Sequence, residues 1–342
     1  AAAHGDLKTI KRLLSGGTPP NAKGARGNTA LHAAAAEGHT AVIRALLAAN
    51  ALVDSRAADG CTPLCRAAEH GHSEAAATLL VSGADPGFVT PKYSTPLFMA
   101  AEHGHAAVVE VLLRGGADPE CWNPAGESPI YLAVQNGHAE AVAALLAGGT
   151  HPDTTTPEGL TLLQLAAKAA AKGDLKTVKR LLGGGTPPNA KGAHGNTALH
   201  LAAAEGRTAV IRALLAAHAP VDLRAADGYT PLCRAAEHGH GEAAAMLLAS
   251  GADADFTTPK HITPLLMAAE RGHAAVVAAL LEGGADPERR NPAGASPIYL
   301  AVQNGHAAAA AALLAGGTDP DSTTPEGLTL LELAAKCGQV RV

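Results

Sequence analysis

A chain of 342 residues with a formal charge of −5 would, in an ordinary globular protein, be divided into two or three domains. Its 26 basic and 31 acidic residues give no broad basic field, which argues against nucleic acid as a partner. Five cysteines (Cys61, Cys65, Cys121, Cys233 and Cys337) lack C-x-x-C spacing, so neither a disulfide framework nor a zinc knuckle is expected, and a reducing intracellular setting, the cytoplasm, fits best. No apolar run is long enough to span a bilayer and no stretch reads as a signal peptide, so direct membrane insertion is not expected.

In chain order, Ala1 to Gly5 fits the end of a helix, and without an initiator Met the chain reads as a piece of a longer protein. From there a Thr-Pro-Leu-type anchor recurs, at Thr29, Thr62, Thr95, Ser128, Thr161, Thr197, Thr230, Thr263, Ser296 and Thr329. Every spacing is 33 residues except the one from Thr161 to Thr197, which is 36. A 33-residue period points to stacked helical hairpins that bury their apolar faces only against their neighbours, so length here sets the number of units.

The third unit illustrates the reading. Thr95 can cap a helix that Pro96 enters at no loss, because the first turn has no use for its missing N–H. Leu97, Ala100 and Ala101 fall on one helical face, and the small alanines admit a close neighbour. Gly104 stops that helix, and His105 opens a second with Val108, Val109, Leu112 and Leu113 as its apolar stripe, ended by Gly115-Gly116. The Pro-, Gly- and Asp-rich stretch beginning Ala117-Asp118-Pro119 suits an extended, hairpin-like connection.

A second level of repetition joins Gly5-Asp6-Leu7-Lys8-Thr9 to Gly173-Asp174-Leu175-Lys176-Thr177 at an offset of 168 residues, which also pairs Thr29 with Thr197. The chain is a tandem duplication of a five-unit block, residues 1–168 and 169–342. Three extra residues around Lys168 to Lys172 mark the junction, and their Ala/Lys content predicts a lengthened helix and one continuous solenoid of about ten units.

These features resemble the ankyrin repeat. The residues that carry the resemblance include Thr62-Pro63-Leu64 with Ala67-Ala68, Gly71-His72 and Gly83-Ala84-Asp85, and Thr263-Pro264-Leu265 with Ala268-Ala269, Gly272-His273 and Gly284-Ala285-Asp286. The departures are Ala30 where Pro is usual, Tyr93 and His261 in place of the hairpin Gly, and Arg66 and Arg234 at a position usually apolar. The resemblance implies an all-α solenoid of helix-turn-helix units with β-hairpin loops. It implies no catalytic activity, metal or cofactor, and binding of protein partners through hairpin tips and the exposed side of the first helices.

Carried onto this chain, that surface comprises Asp59, Glu69, His70, Lys92, Tyr93, Glu102, His103, Gln135 and Asn136 in the first block, and Tyr229, Glu237, His238, Lys260 and Arg271 in the second. Trp122 is the sharpest single candidate. It is the only Trp, and its counterpart 168 residues later is Arg290, beside Arg289; Trp and Arg are both common interface anchors. Against this stands the alternative that Trp122 folds over its own hairpin, and that most of the polar positions are merely solvated.

The Glu-His-Gly-His sequences at Glu69, Glu102 and Glu237 offer no convergent four-ligand set, so their histidines read as structural, or as a ridge that titrates near pH 6. Cys61 and Cys65 can approach across a helix start, but the corresponding pair is Tyr229 and Cys233, which argues against a shared cysteine mechanism. Three readings of function result. They are a protein-recognition scaffold, a targeting or regulatory arm of a larger enzyme or channel, and a spacer or engineered tandem without its own ligand.

Overall fold

The computed structural model describes residues 1–24, 26–152, 154–169, 175–192, 194–320, 323 and 327–336. Of the sequence-based expectations, the inserted residues Ala170 to Lys172 and the fifth cysteine, Cys337, lie outside these. The backbone divides into two compact units, one of Ala1–Pro157 with Lys179–Gly185 and one of Glu158–Val178 with Thr186–Val342.

Both units repeat the same motif of a short first helix and a nine-residue second helix. The first block contains Ala30–Ala36 and Thr40–Ala48, Pro63–Glu69 and Ser73–Val81, Pro96–Glu102 and Ala106–Arg114, and Pro129–Gln135 and Ala139–Ala147. Their counterparts in the second block include Ala198–Ala204 and Thr208–Ala216, Pro231–His238 and Gly241–Ala249, and Pro264–Glu270 and Ala274–Glu282. Helices this short do not persist alone in water, so their order comes from stacking. The connections are tight turns: Thr90 N–H donates to the Ser94 carbonyl at 2.9 Å and Asn123 N–H to that of Glu127 at 3.0 Å.

Each first helix begins as its sequence predicts. Thr95 Oγ1 accepts the Phe98 amide at 3.3 Å, and Thr62, Ser128, Thr230, Thr263 and Ser296 repeat that cap with Pro at the first position. Where Ala30 and Ala198 replace Pro, a histidine reinforces the cap. The Thr29 amide donates to His32 Nδ1 at 3.1 Å, which leaves Nε2 to carry the proton and donate to the Cys61 carbonyl of the next unit at 3.0 Å. His200 makes the same pair of bonds to Thr197 and Tyr229. Gln164 makes them too, accepting from the Thr161 amide at 2.8 Å and donating to the Asn196 carbonyl. One side chain thus closes its own helix and ties it to the neighbouring turn.

The Gly-His step is a second tie. His138 Nε2 donates to the Glu102 carbonyl at 3.0 Å, His72 to Ala36, His105 to Glu69, His240 to Ala204 and His273 to Glu237. The imidazole lies over the glycine of the preceding unit, where no side chain fits. Packing is completed by Leu97, Ala100 and Ala101 from the first helix and Val108, Val109 and Leu112 from the second, all buried. Leu113, expected in the same stripe, is only half-buried. It reaches over the next unit instead, and a Cβ on Gly148 would stand 2.3 Å from its Cδ1.

Tyr93 and His261 take φ of 58° and 56°, the left-handed conformation their hairpins require of glycine. The turn therefore survives loss of glycine at about 1–2 kcal/mol of backbone strain each, and Tyr93 projects outward, 61% exposed.

Candidate functional site

The turns and first helices present the predicted residues, but as clusters rather than isolated side chains. Arg66, from the first helix of the second repeat, pairs with Asp59 at the hairpin tip and with Glu69 at 3.0 Å. Arg66 is largely covered, which explains how a guanidinium occupies a usually apolar position: two carboxylates accompany it. Asp59 and Arg66, together with Arg26, Asn28 and His70, line an open cleft of about 560 Å³. Burial alone would raise the Asp59 carboxyl, but the Cys61 amide and the Arg66 guanidinium hold it below its ordinary value.

The second block builds the same cluster with a different rim. Arg234 bonds to Asp227 at 2.5 Å and Glu237 at 3.3 Å, lies 4.9 Å over the Tyr229 ring, and leaves the other oxygen of Glu237 to Arg271 at 2.9 Å. Cys61 and His103 stand where Tyr229 and Arg271 do, so the second cluster adds an aromatic face and a cation. Burial would raise Asp227 as well, but the Tyr229 amide and Arg234 lower it on balance. An Arg234→Ala substitution is expected to carry the Asp227 carboxyl back up through its ordinary range, read by NMR titration; an unchanged titration would dismiss the guanidinium as its holder.

Other candidates are tied locally. His70 Nδ1 meets the Arg66 carbonyl at 3.0 Å and His103 Nδ1 that of Met99 at 2.9 Å, closing helix ends as expected near a C-terminus. Asn136 donates to the Glu102 carbonyl at 3.0 Å, Gln135 to the Tyr131 hydroxyl at 3.3 Å, and Arg290 to the Gly294 carbonyl at 3.1 Å. His238 is the last residue of its helix and exposed. Lys92, Lys260, Arg271 and Arg289 are exposed, and Trp122 is 49% exposed rather than folded away. Among the described residues no three His, Cys, Asp or Glu side chains are grouped to hold a metal ion.

The sequence reading missed Val89, 55% exposed one period before Trp122 and therefore at the same place on the preceding hairpin. It also missed Leu52 and Val81, 63% and 90% exposed. The signal was available in the duplication: the second-block counterparts of Leu52, Val81, Val89, Tyr93 and Trp122 are Pro220, Ala249, Thr257, His261 and Arg290. At these five positions the first block exposes large apolar side chains and the second carries polar or small ones, while Leu314 and Leu331 are exposed apolar residues of the second block.

A helical solenoid with exposed turns defines a class of repeat protein, and comparison places it further. The family of ankyrin repeats, described by its three-copy unit, matches residues 1–90, 74–156, 163–258, 249–324 and 265–342, and the chain belongs to that family. Ankyrin repeats are in general modules of protein–protein interaction. Among solved structures, the chain is similar to the human ASB11 ankyrin repeat domain, with a TM-score of 0.55 and 29% identity over 64% of this chain and 96% of that one. No curated protein matches it. Among the described residues no helix is long and apolar enough to cross a membrane.

Proposed function

We propose that the chain is a non-catalytic recognition scaffold whose two blocks hold protein partners of different chemistry. The observation that carries this reading is the exchange of exposed side chains between otherwise matching blocks. Val89, Tyr93 and Trp122 on the first give its hairpins an apolar rim, while Arg289 and Arg290 on the second give a basic one. An apolar anchor favours a hydrophobic partner surface; arginines favour a carboxylate-bearing one. Because the turns and clusters are already ordered by their ties to neighbouring repeats, little freedom is lost by the scaffold on binding. A half-exposed Trp122 weighs against the spacer reading, which would leave the hairpins uniformly polar.

The test is affinity capture from native extract with the parent chain, Trp122→Ala and Arg290→Ala, with bound proteins identified by mass spectrometry. Each substitution is expected to lose a different partner, with at least roughly a 30-fold drop in affinity, the level at which an interface residue counts as a hot spot. Equal recovery on all three baits would refute these anchors, and no reproducible partner on any would refute the scaffold.

A further inference from the structure

We propose that the hairpins of the second block form a basic ladder that holds an extended acidic peptide segment, one carboxylate to a hairpin. The proposal rests on the scaffold reading above and gives one of its partners a chemistry and a register. Four successive hairpins each supply a rung: Lys191, Arg224, Lys260 and Arg290, the last with Arg289 beside it. These side chains are exposed, and none of them makes an ion pair among the described residues.

The cations stay open although acids stand close by in the chain, because each of those acids is engaged within the stack. Asp222 accepts the Asp253 amide at 3.1 Å, Asp255 that of Asp286 at 3.0 Å and Glu288 that of Asp319 at 3.3 Å, one unit on in every case. Asp227, at the tip of its hairpin, is held by Arg234 at 2.5 Å. The rungs themselves are positioned in advance. The Arg224 guanidinium lies 4.9 Å over the Phe256 ring, which fixes its plane and leaves its N–H edge to a carboxylate. Lys191 Nζ donates to the Arg224 carbonyl at 2.8 Å, and Arg290 is steadied by its bond to the Gly294 carbonyl.

The register follows from two spacings. Successive hairpins touch, the Ala226 amide donating to the His194 carbonyl at 3.1 Å, so the rungs recur with the stacked helices at roughly 8–10 Å. An extended chain advances about 3.3 Å per residue, so acidic residues about three apart meet consecutive rungs. A single exposed pair of this kind changes affinity only a few-fold, and recognition therefore requires several in step. The first block supplies an internal comparison. Lys23, Arg56 and Lys92 stand where Lys191, Arg224 and Lys260 do, but Trp122 replaces Arg290, so its series ends one rung earlier.

The experiment measures fluorescence anisotropy of labelled synthetic peptides on the whole chain at low ionic strength. One peptide carries four glutamates separated by pairs of serines; a second has the same composition with its glutamates contiguous. The spaced peptide is expected to bind at least about tenfold more tightly than the contiguous one, and to weaken with added salt. Replacing Lys191, Arg224, Lys260 and Arg290 together by glutamine is expected to cost at least about tenfold, whereas Lys23, Arg56 and Lys92 to glutamine, which leaves the longer ladder intact, is expected to cost less than about threefold. Circular dichroism of both variants should match the parent, since all the replaced side chains are exposed. Equal binding of the two peptides, equal losses in the two variants, no binding of either peptide, or tighter binding of a single-stranded RNA of the same charge would each overturn the proposal. Such a failure beside an Arg290-dependent partner in the extract test would reject the acidic ladder and leave the scaffold reading standing.

Discussion

At pH 4 a His200→Gln variant is expected to be about 3 kcal/mol more stable than the parent, and at pH 8 the two are expected to differ little. His200 is fully buried, and burial, with Arg234 nearby, lowers its imidazole from 6.5 to about 4 against the opposing bond to the Tyr229 carbonyl. Protonation would also place an N–H on Nδ1 opposite the Thr197 amide, which now donates to it at 3.1 Å. As pH falls through about 6.5 the unfolded chain takes up this proton while the folded chain refuses it. Stability is therefore complete above 6.5, declines below, and reaches its full loss only under about 4. Glutamine is the right replacement because Gln164 already makes both bonds at the equivalent position without a titrating group. His32, lowered in the same direction by burial, is expected to add to the effect in a double variant. Urea unfolding at pH 4, 6 and 8 measures the difference, and parallel pH profiles for variant and parent would refute it.

The period, the caps and the Gly-His step were legible because each is set by a local rule: a side chain bonding three residues away, or a glycine supplying positive φ. What crosses between repeats was not. Nothing in the spacing of His32 says that its second nitrogen reaches the Cys61 carbonyl 29 residues away, and Leu113 looked like core until Gly148 was seen beneath it. Arg66 looked like a departure from pattern although Glu69 lies one turn on along its own helix, because its other partner, Asp59, is set beside it only by the path of the turn that precedes that helix. Within the site, Trp122 was legible as a lone aromatic in a polar stretch. Val89 was not, since a valine beside a hairpin reads equally as packing and only its exposure separates the two.

The Gly-His tie also predicts that chemically identical substitutions will differ in severity. Gly104 and Gly116 both take left-handed conformations, with φ of 76° and 93°, so alanine at either carries about 1–2 kcal/mol of backbone strain. At Gly116 the added Cβ meets nothing within 4 Å, and the strain is the whole effect. At Gly104 it would stand 2.5 Å from His138 Nδ1 and 2.6 Å from Cγ, so the ring must leave its place. That displacement breaks the bond to the Glu102 carbonyl and disturbs His138 where it begins the helix Ala139–Ala147. Gly104→Ala is therefore expected to destabilise by about 2–3 kcal/mol, strain and one lost hydrogen bond together, with hydrogen exchange accelerated across 139–147. Gly272 faces His306 in the same way at 2.6 Å and should repeat the result in the second block. Equal losses for Gly104→Ala and Gly116→Ala would mean that the imidazole moves aside freely, and that the histidine tie contributes little to holding successive repeats in register.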